Sequence, residues 1–311
     1  MKLKLEDINW IIENEYKKHP NFSIEEQLEH FLECLGSPES QFREGSLSIF
    51  GSWIERGDFS DEQLLDIANK MKENLLVGLG ENNTDSVFLR SFSALILGDI
   101  IGFDEECSLQ NVKDRKSFLT KELILDLFKT SLKYYRGEKD VRGYIEIKEW
   151  AHSVAHGADL FKKFARHRLL EKAELLQILD VFKVKLIDAQ EDVYKAREEL
   201  RITVAVYTLF LRRILTTEEI KEWFSDFEEV IISKKWYEYV KEPSKLNAQL
   251  NLRAFLNYMY LIVKNGIANT GFYDLPFYQN NLLKDRVEIS NFIERLLLLM
   301  DKNHFCADDE N

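Results

Sequence analysis

An arginine near the start of an apolar helical segment recurs roughly every 50 residues along most of this chain, near the upper end of the range for helical-pair repeats. Each arginine follows a short polar turn, and each turn follows another amphipathic segment. One helix pair has too little apolar surface to bury alone, so such pairs are stable when stacked. The turn and arginine pairs are Glu39/Arg43, Asp85/Arg90, Asp140/Arg142, Asp192/Arg197 and Gln249/Arg253.

The periodicity of apolar residues predicts paired helices with one flanking helix at each end. Predicted first helices span 24–35, 61–77, 120–136, 171–187 and 217–233, predicted second helices span 40–56, 85–101, 140–168, 192–214 and 248–265, and flanking helices span 1–20 and 285–301. Ser23, Ser60, Thr120 and Thr217 have the side chains and positions of N-caps. With only 4 Pro and 13 Gly in 311 residues, the chain has few of the residues that end strands and form tight turns.

These features predict an all-α fold, more specifically a right-handed α-solenoid of HEAT/armadillo-like helix pairs. Residues 1–311 are predicted to form one domain of about five pairs, with 306–311 disordered. A compact all-α bundle of the same helices is the alternative. The arginine ladder is interpreted as bridging neighbouring repeats, and a row of arginines facing a ligand is the second interpretation.

The composition excludes some functions. A formal net charge of −12 disfavours binding to nucleic acid or to an anionic membrane. Three distant cysteines form neither a disulfide framework nor a structural zinc site, and the N-terminus is too acidic for a signal peptide, so a cytoplasmic location is expected. No run is predicted to reach the ~20 apolar residues that a membrane helix needs.

Residues 140–168 form the longest helical pattern and contain the candidate site. On one uninterrupted helix, His152, His156 and Asp159 would share a face, and the two histidines could bind one metal ion with Asp159 as third ligand or as its support. Acid–base use and purely structural hydrogen bonding are the alternatives. Small residues around Gly157 would let a helix or a ligand approach closely. The predicted core stripe of this helix is Trp150, Val154, Ala158, Phe161 and Ala165.

The segment RGYIEIKEWAHSVAHGAD resembles the bacterial family called domain of unknown function 2785, whose pattern is close to D-x-RGY-x-E-x-KGWAH-x-x-AHGAD. Glu149 replaces the usual glycine. Segments around Arg90 and after Arg197 are also similar, so the resemblance covers most of the chain. It implies an all-α, repeat-like fold and brings no established activity. The matching residues are Asp140, Arg142, Gly143, Tyr144, Glu146, Lys148, Trp150, Ala151, His152, Ala155, His156, Gly157, Ala158 and Asp159.

Two function hypotheses follow. The first is a binding or scaffold protein that holds a protein or small molecule, but neither nucleic acid nor membrane, on a concave face lined by the second helices. The second is an enzyme, such as a metal-assisted hydrolase at His152, His156 and Asp159; no catalytic residue is assigned and no cofactor beyond a divalent metal is considered. The predicted binding residues are Arg142, Lys148, His152, His156, Asp159, Glu198, Arg201 and Asn251.

Overall fold

The computed structural model describes residues 3–112, 114–188, 192–233, 236–239, 241–267, 278 and 283–305. These residues form helices and one small two-stranded sheet, which confirms the predicted all-α class. The expected disorder of 306–311 lies outside the described residues. The stacking of the pairs as a right-handed solenoid, and the assignment of 1–311 to a single domain, stay predictions.

The chain divides into two compact units, Met1–Leu169 and Leu170–Asn311. Unit 1 contains α1 (Leu5–Glu13), α2 (Ile24–Cys34), α3 (Ser40–Glu55), α4 (Asp61–Asn74), α5 (Ser86–Ser108), α6 (Lys121–Gly137), β1 (Tyr144–Ile145), β2 (Glu149–Trp150) and α7 (Ser153–Arg166). Unit 2 contains α8 (Lys172–Ile187), α9 (Glu198–Leu211), α10 (Thr217–Ile232), α11 (Trp236–Tyr239), α12 (Pro243–Asn265) and α13 (Arg286–Phe305).

The predicted helix starts are mostly correct because N-caps are local signals. The hydroxyls of Ser23, Ser60 and Thr120 each accept a hydrogen bond from a first-turn amide. In α10 the cap is Thr216 and not Thr217, since the Thr216 hydroxyl accepts the Glu219 N–H at 3.2 Å.

Helix α5 is the central helix of unit 1 and packs against α3, α4 and α7. Helix α5 is 23 residues long, and the mean hydropathy of its most apolar 18-residue window is 1.6. It therefore has the length and composition of a membrane helix, which corrects the expectation that no segment would reach them. Within its most apolar window, 78% of the residues are buried in the structure, as in the core helix of a soluble protein. The apolar residues of α5 therefore pack against the neighbouring helices of unit 1.

The predicted continuous helix over 140–168 is wrong in its first half. Residues 144–150 form a hairpin in which Tyr144 pairs with Trp150, and α7 begins only at Ser153. Positive φ values at Ile147 (70°), Glu149 (62°) and His152 (50°) are incompatible with a right-handed helix. Contacts from elsewhere in unit 1 override the local helical pattern here.

Gly157 lies where α7 meets α6. A Cβ at this position would overlap the Tyr135 ring, whose hydroxyl donates a hydrogen bond to the Val154 carbonyl at 3.1 Å. The glycine therefore permits a close approach of helices, one of the two explanations that its mid-helix position left open.

Candidate functional site

Arg43 of α3 is fully buried and holds the hairpin to the helices. Its guanidinium donates to the carbonyl of Ser37 at 2.6 Å, in the turn between α2 and α3. It also donates to the carbonyls of Lys148 at 2.6 Å and Trp150 at 3.2 Å, on the second side of the hairpin. One side chain thus satisfies three backbone acceptors in two segments that are distant in sequence.

The Arg43 guanidinium also contacts two aromatic rings of α5, with its central carbon 4.0 Å from the ring centre of Phe88 and 4.9 Å from that of Phe92. Burial lowers the pKa of Arg43, and the carboxylates of Glu44 and Glu149 oppose that effect. Arginine stays charged in proteins, so a buried cation is fixed behind the hairpin by carbonyl oxygens and aromatic faces.

The outer side of the hairpin exposes three large apolar residues, here called the hairpin patch: Tyr144 (57% exposed), Ile147 (91%) and Trp150 (38%). The rings of Tyr144 and Trp150 pack edge to face with centres 5.0 Å apart, and His152 stacks on Trp150 at 4.4 Å. Exposure of Trp150 corrects its predicted place in the core stripe of a helix. The patch is a rigid aromatic pair beside an aliphatic tip.

Ile147 is unfavourable in two independent ways. A β-branched residue rarely adopts a positive φ, and Ile147 has a φ of 70°. Almost all of its apolar side chain is also in water. Neither cost is compensated by a contact within the hairpin pairing, so this position is not explained by folding alone.

The backbone conformation at Glu149 explains why the family pattern has a glycine at this position. Its φ is 62°, a conformation that glycine adopts freely and that costs other residues about 1–2 kcal/mol. We therefore expect Glu149→Gly to raise the free energy of unfolding by about 0.5–1 kcal/mol, measured by urea denaturation. Glu146→Gly is the control, because Glu146 has no positive φ and its glycine variant should be destabilised.

His152 and His156 are both nearly buried, but they do not form a pair one turn apart on a helix. His152 precedes α7, and the two ring centres lie 5.5 Å apart. The His156 Nδ1 lies 2.7 Å from the Ser91 hydroxyl, which in turn donates to the Ala151 carbonyl. Because that hydroxyl proton is engaged, Ser91 accepts from the His156 Nδ1–H. Ser91 is wholly buried, so this arrangement joins α5 to α7 and does not make Ser91 a nucleophile.

The predicted third member, Asp159, accepts a hydrogen bond from Lys162 at 3.3 Å. Among the described residues, no three His, Cys, Asp or Glu side chains are grouped so that they could hold a metal ion. The metal hypothesis at His152, His156 and Asp159 therefore has no three-ligand geometry behind it.

The other predicted residues of unit 1 form contacts between segments. The Arg142 guanidinium is 2.5 Å from the carboxylate of Asp140 and donates to the Thr84 carbonyl at 2.8 Å. The Lys148 ammonium is 2.8 Å from Asp85 and is 41% exposed. These bonds agree with the bridging interpretation of the arginine ladder, and they leave Lys148 as the accessible cation of the set.

Glu198, Arg201 and Asn251 belong to unit 2. Glu198 and Asn251 are almost completely buried, and both hold the segment before α9. The Glu198 carboxylate accepts the Ala196 N–H at 2.8 Å, and the Asn251 carbonyl oxygen accepts the Tyr194 N–H at 2.9 Å. As placed, a partner has little access to either side chain.

Glu199 gives unit 2 a pH-dependent stability. Burial, reinforced by the charge of Glu198, raises the pKa of Glu199 from its ordinary 4.5 to about 7. The stability associated with the protonated form is complete below pH 4.5 and is lost as the pH rises through 7. We expect Glu199→Gln, which stays neutral, to stabilise unit 2 at pH 8 by on the order of 2–3 kcal/mol. Its advantage should vanish below pH 4.5, and urea denaturation at pH 8 and below pH 4.5 measures both effects.

Sequence reasoning missed Tyr144 and Ile147 as surface residues and Arg43 as the residue that holds them. The signal that could have found the hairpin was the family's glycine at position 149, because a glycine beside a tryptophan in an apparent helix often marks a turn or a positive φ.

The described residues thus define an all-helical protein in which buried polar contacts fix an exposed aromatic hairpin. The chain belongs to the DUF2785 family, described as "Protein of unknown function", whose model matches residues 75–261. This range includes the hairpin, α7 and the segment before α9. Comparisons with curated proteins and with solved structures find no match.

Proposed function

We propose that this chain is a bacterial, cytoplasmic binding protein and that the hairpin patch contacts a partner protein. The observation that carries the proposal is Ile147, a strained β-branched residue that is 91% exposed at the tip of the hairpin. Strained and exposed apolar residues are retained where they have a use, and contact with a partner would bury this one.

The surroundings of the patch indicate what kind of partner fits. Tyrosine and tryptophan are enriched among residues that dominate protein interfaces. Carboxylates of Asp85, Glu146 and Glu149 lie on or beside the hairpin, against the single ammonium of Lys148. A complementary partner would offer an apolar pocket for Ile147 with basic residues around it. In its extended form, the proposal is that the partner also contacts a wider concave face, lined by the second helices of an α-solenoid.

The enzyme alternative finds less support. The His156 ring is hydrogen-bonded to a buried serine, and His152 is covered by the Trp150 ring. Acid–base catalysis needs a group that reaches a substrate, and neither imidazole is more than 9% exposed.

The proposal is tested by photo-crosslinking in cells that naturally express the chain. The photoreactive residue p-benzoylphenylalanine replaces Ile147 in one variant and Leu298 of α13, 57% exposed, in the control. We expect a discrete protein adduct from position 147 and none from position 298. Equal, diffuse labelling at both positions would contradict the proposal.

A second variant separates binding from folding. Ile147→Asn places a polar residue that tolerates a positive φ at the tip, so the fold should be no less stable. With the crosslinker at Tyr144, this substitution should reduce the adduct strongly. An undiminished adduct would mean that Ile147 is not the anchor.

A further inference from the structure

An open groove of about 830 Å³ lies in unit 1, and none of the three hairpin patch residues lines it. Its walls come from α2 and α4, with Leu89 of α5 contributing to the lining. Half-buried Leu28, Leu32 and Leu89 supply apolar surface that solvent reaches. A groove of this size is within the ~300–1,000 Å³ range of ligand sites.

The groove is long and not enclosed. Along α2 its acidic residues Glu25, Glu29 and Glu33 recur every four residues, so they form one row about 12 Å long at 1.5 Å per residue. Leu28 and Leu32 form the neighbouring row with the same spacing. An acidic row beside an apolar row matches the outline of a helix with two faces better than that of a compact small molecule.

The charge of the groove determines whether a binding partner should be basic or acidic. Three carboxylates of α2 stand against one lining ammonium, that of Lys70. The Lys70 ammonium is also 3.7 Å from the carboxylate of Glu73, which does not line the groove. That carboxylate partly neutralises the positive charge of Lys70. The groove is therefore negative, and an acidic helix would be repelled.

From this geometry we propose that the groove binds a basic amphipathic helix of another protein. Its apolar stripe would cover Leu28, Leu32 and Leu89, and its lysines or arginines would face Glu25, Glu29 and Glu33. This goes beyond the proposed function, because it assigns a second surface and a defined class of partner segment.

The test uses the full chain and a fluorescein-labelled helical peptide of about 15 residues, long enough to hold helical structure when bound. The peptide carries leucines at i, i+3, i+4 and i+7 and lysines on both flanks. We expect saturable binding by fluorescence anisotropy. Two control peptides, one with glutamates in place of the lysines and one with scrambled leucines at equal charge, should not bind.

Two protein variants with the same charge change locate the binding. Glu29→Lys, in the groove, should weaken the peptide at least about fivefold. Glu13→Lys, at the exposed end of α1, should leave it nearly unchanged. Circular dichroism verifies that both variants are folded. Equal effects of the two variants, or binding of the scrambled peptide, would show non-specific attraction and overturn the inference.

The outcome is independent of the hairpin proposal. Ile147→Asn should leave peptide binding unchanged, because Ile147 does not line the groove. If the peptide does not bind but a protein adduct forms at position 147, only the groove inference is disproved. If the peptide binds but no adduct forms at position 147, only the hairpin proposal is disproved.

Discussion

Replacing Glu138 with glutamine is expected to lower the free energy of unfolding of unit 1 by about 3–5 kcal/mol. The Arg90 guanidinium donates to both Glu138 carboxylate oxygens, at 2.6 and 2.9 Å, and the two side chains are 0% and 1% exposed. Burial alone would lower the pKa of Arg90, but the bonds to Glu138 raise it. Glutamine keeps the shape and removes the charge, so the buried cation loses the carboxylate that it contacts directly, and an amide N–H is directed toward guanidinium N–H groups.

Hydrogen exchange of α5 amides on the full chain measures this change, because it reports unit 1 separately from unit 2. Asp126→Asn is the matched control: the ion pair of Asp126 with Lys72 is on the surface, with side chains 55% and 26% exposed. Its loss should cost less than about 1 kcal/mol. Similar effects of both substitutions would contradict the buried character of the Arg90 pair.

Arg43→Met is expected to destabilise unit 1 by about 3 kcal/mol and to release the hairpin. Methionine fills much of the space between Phe88 and Phe92 but donates no hydrogen bond. The carbonyls of Ser37, Lys148 and Trp150 would then lose their donor inside the structure. The two hairpin carbonyls can regain partners only by turning to water.

Urea denaturation and exchange of hairpin amides measure the effect. Arg295→Met is the control, since Arg295 is 55% exposed and pairs with Glu228 on the surface of unit 2. It should cost less than about 1 kcal/mol. A hairpin that stays as protected in Arg43→Met as in the wild type would show that other contacts hold it.

Most helices could be predicted from the sequence because their signals are local. Ser23 and Ser60 start α2 and α4 with capping boxes, and the apolar rows that follow continue to the helix ends. The hairpin could not be predicted in this way. Its carbonyl at Lys148 is bound by Arg43, 105 residues earlier in the chain, and no local pattern records such a contact.

The candidate site was predicted only in part, for a similar reason. The motif directed attention to the segment from Asp140 to Asp159, which contains the exposed hairpin. Sequence spacing gave His152 and His156 a common helical face, but the positive φ at His152 ends that register before α7 begins. Spacing also could not show that the Ser91 hydroxyl lies within 2.7 Å of His156.

The central claim is that Arg43 fixes residues 144–150 in one conformation that displays the hairpin patch. Amide hydrogen exchange at Ala151 and His152 tests it most directly, because these N–H groups donate to the carbonyls of Gly143 at 2.8 Å and Arg142 at 3.1 Å when the hairpin is in place. We predict protection like that of α7 in the wild type. In Arg43→Met, protection at these two amides should be lost, whereas α5 should lose only the part that corresponds to the destabilisation of unit 1 by about 3 kcal/mol. Rapid exchange of both amides in the wild type would contradict the claim.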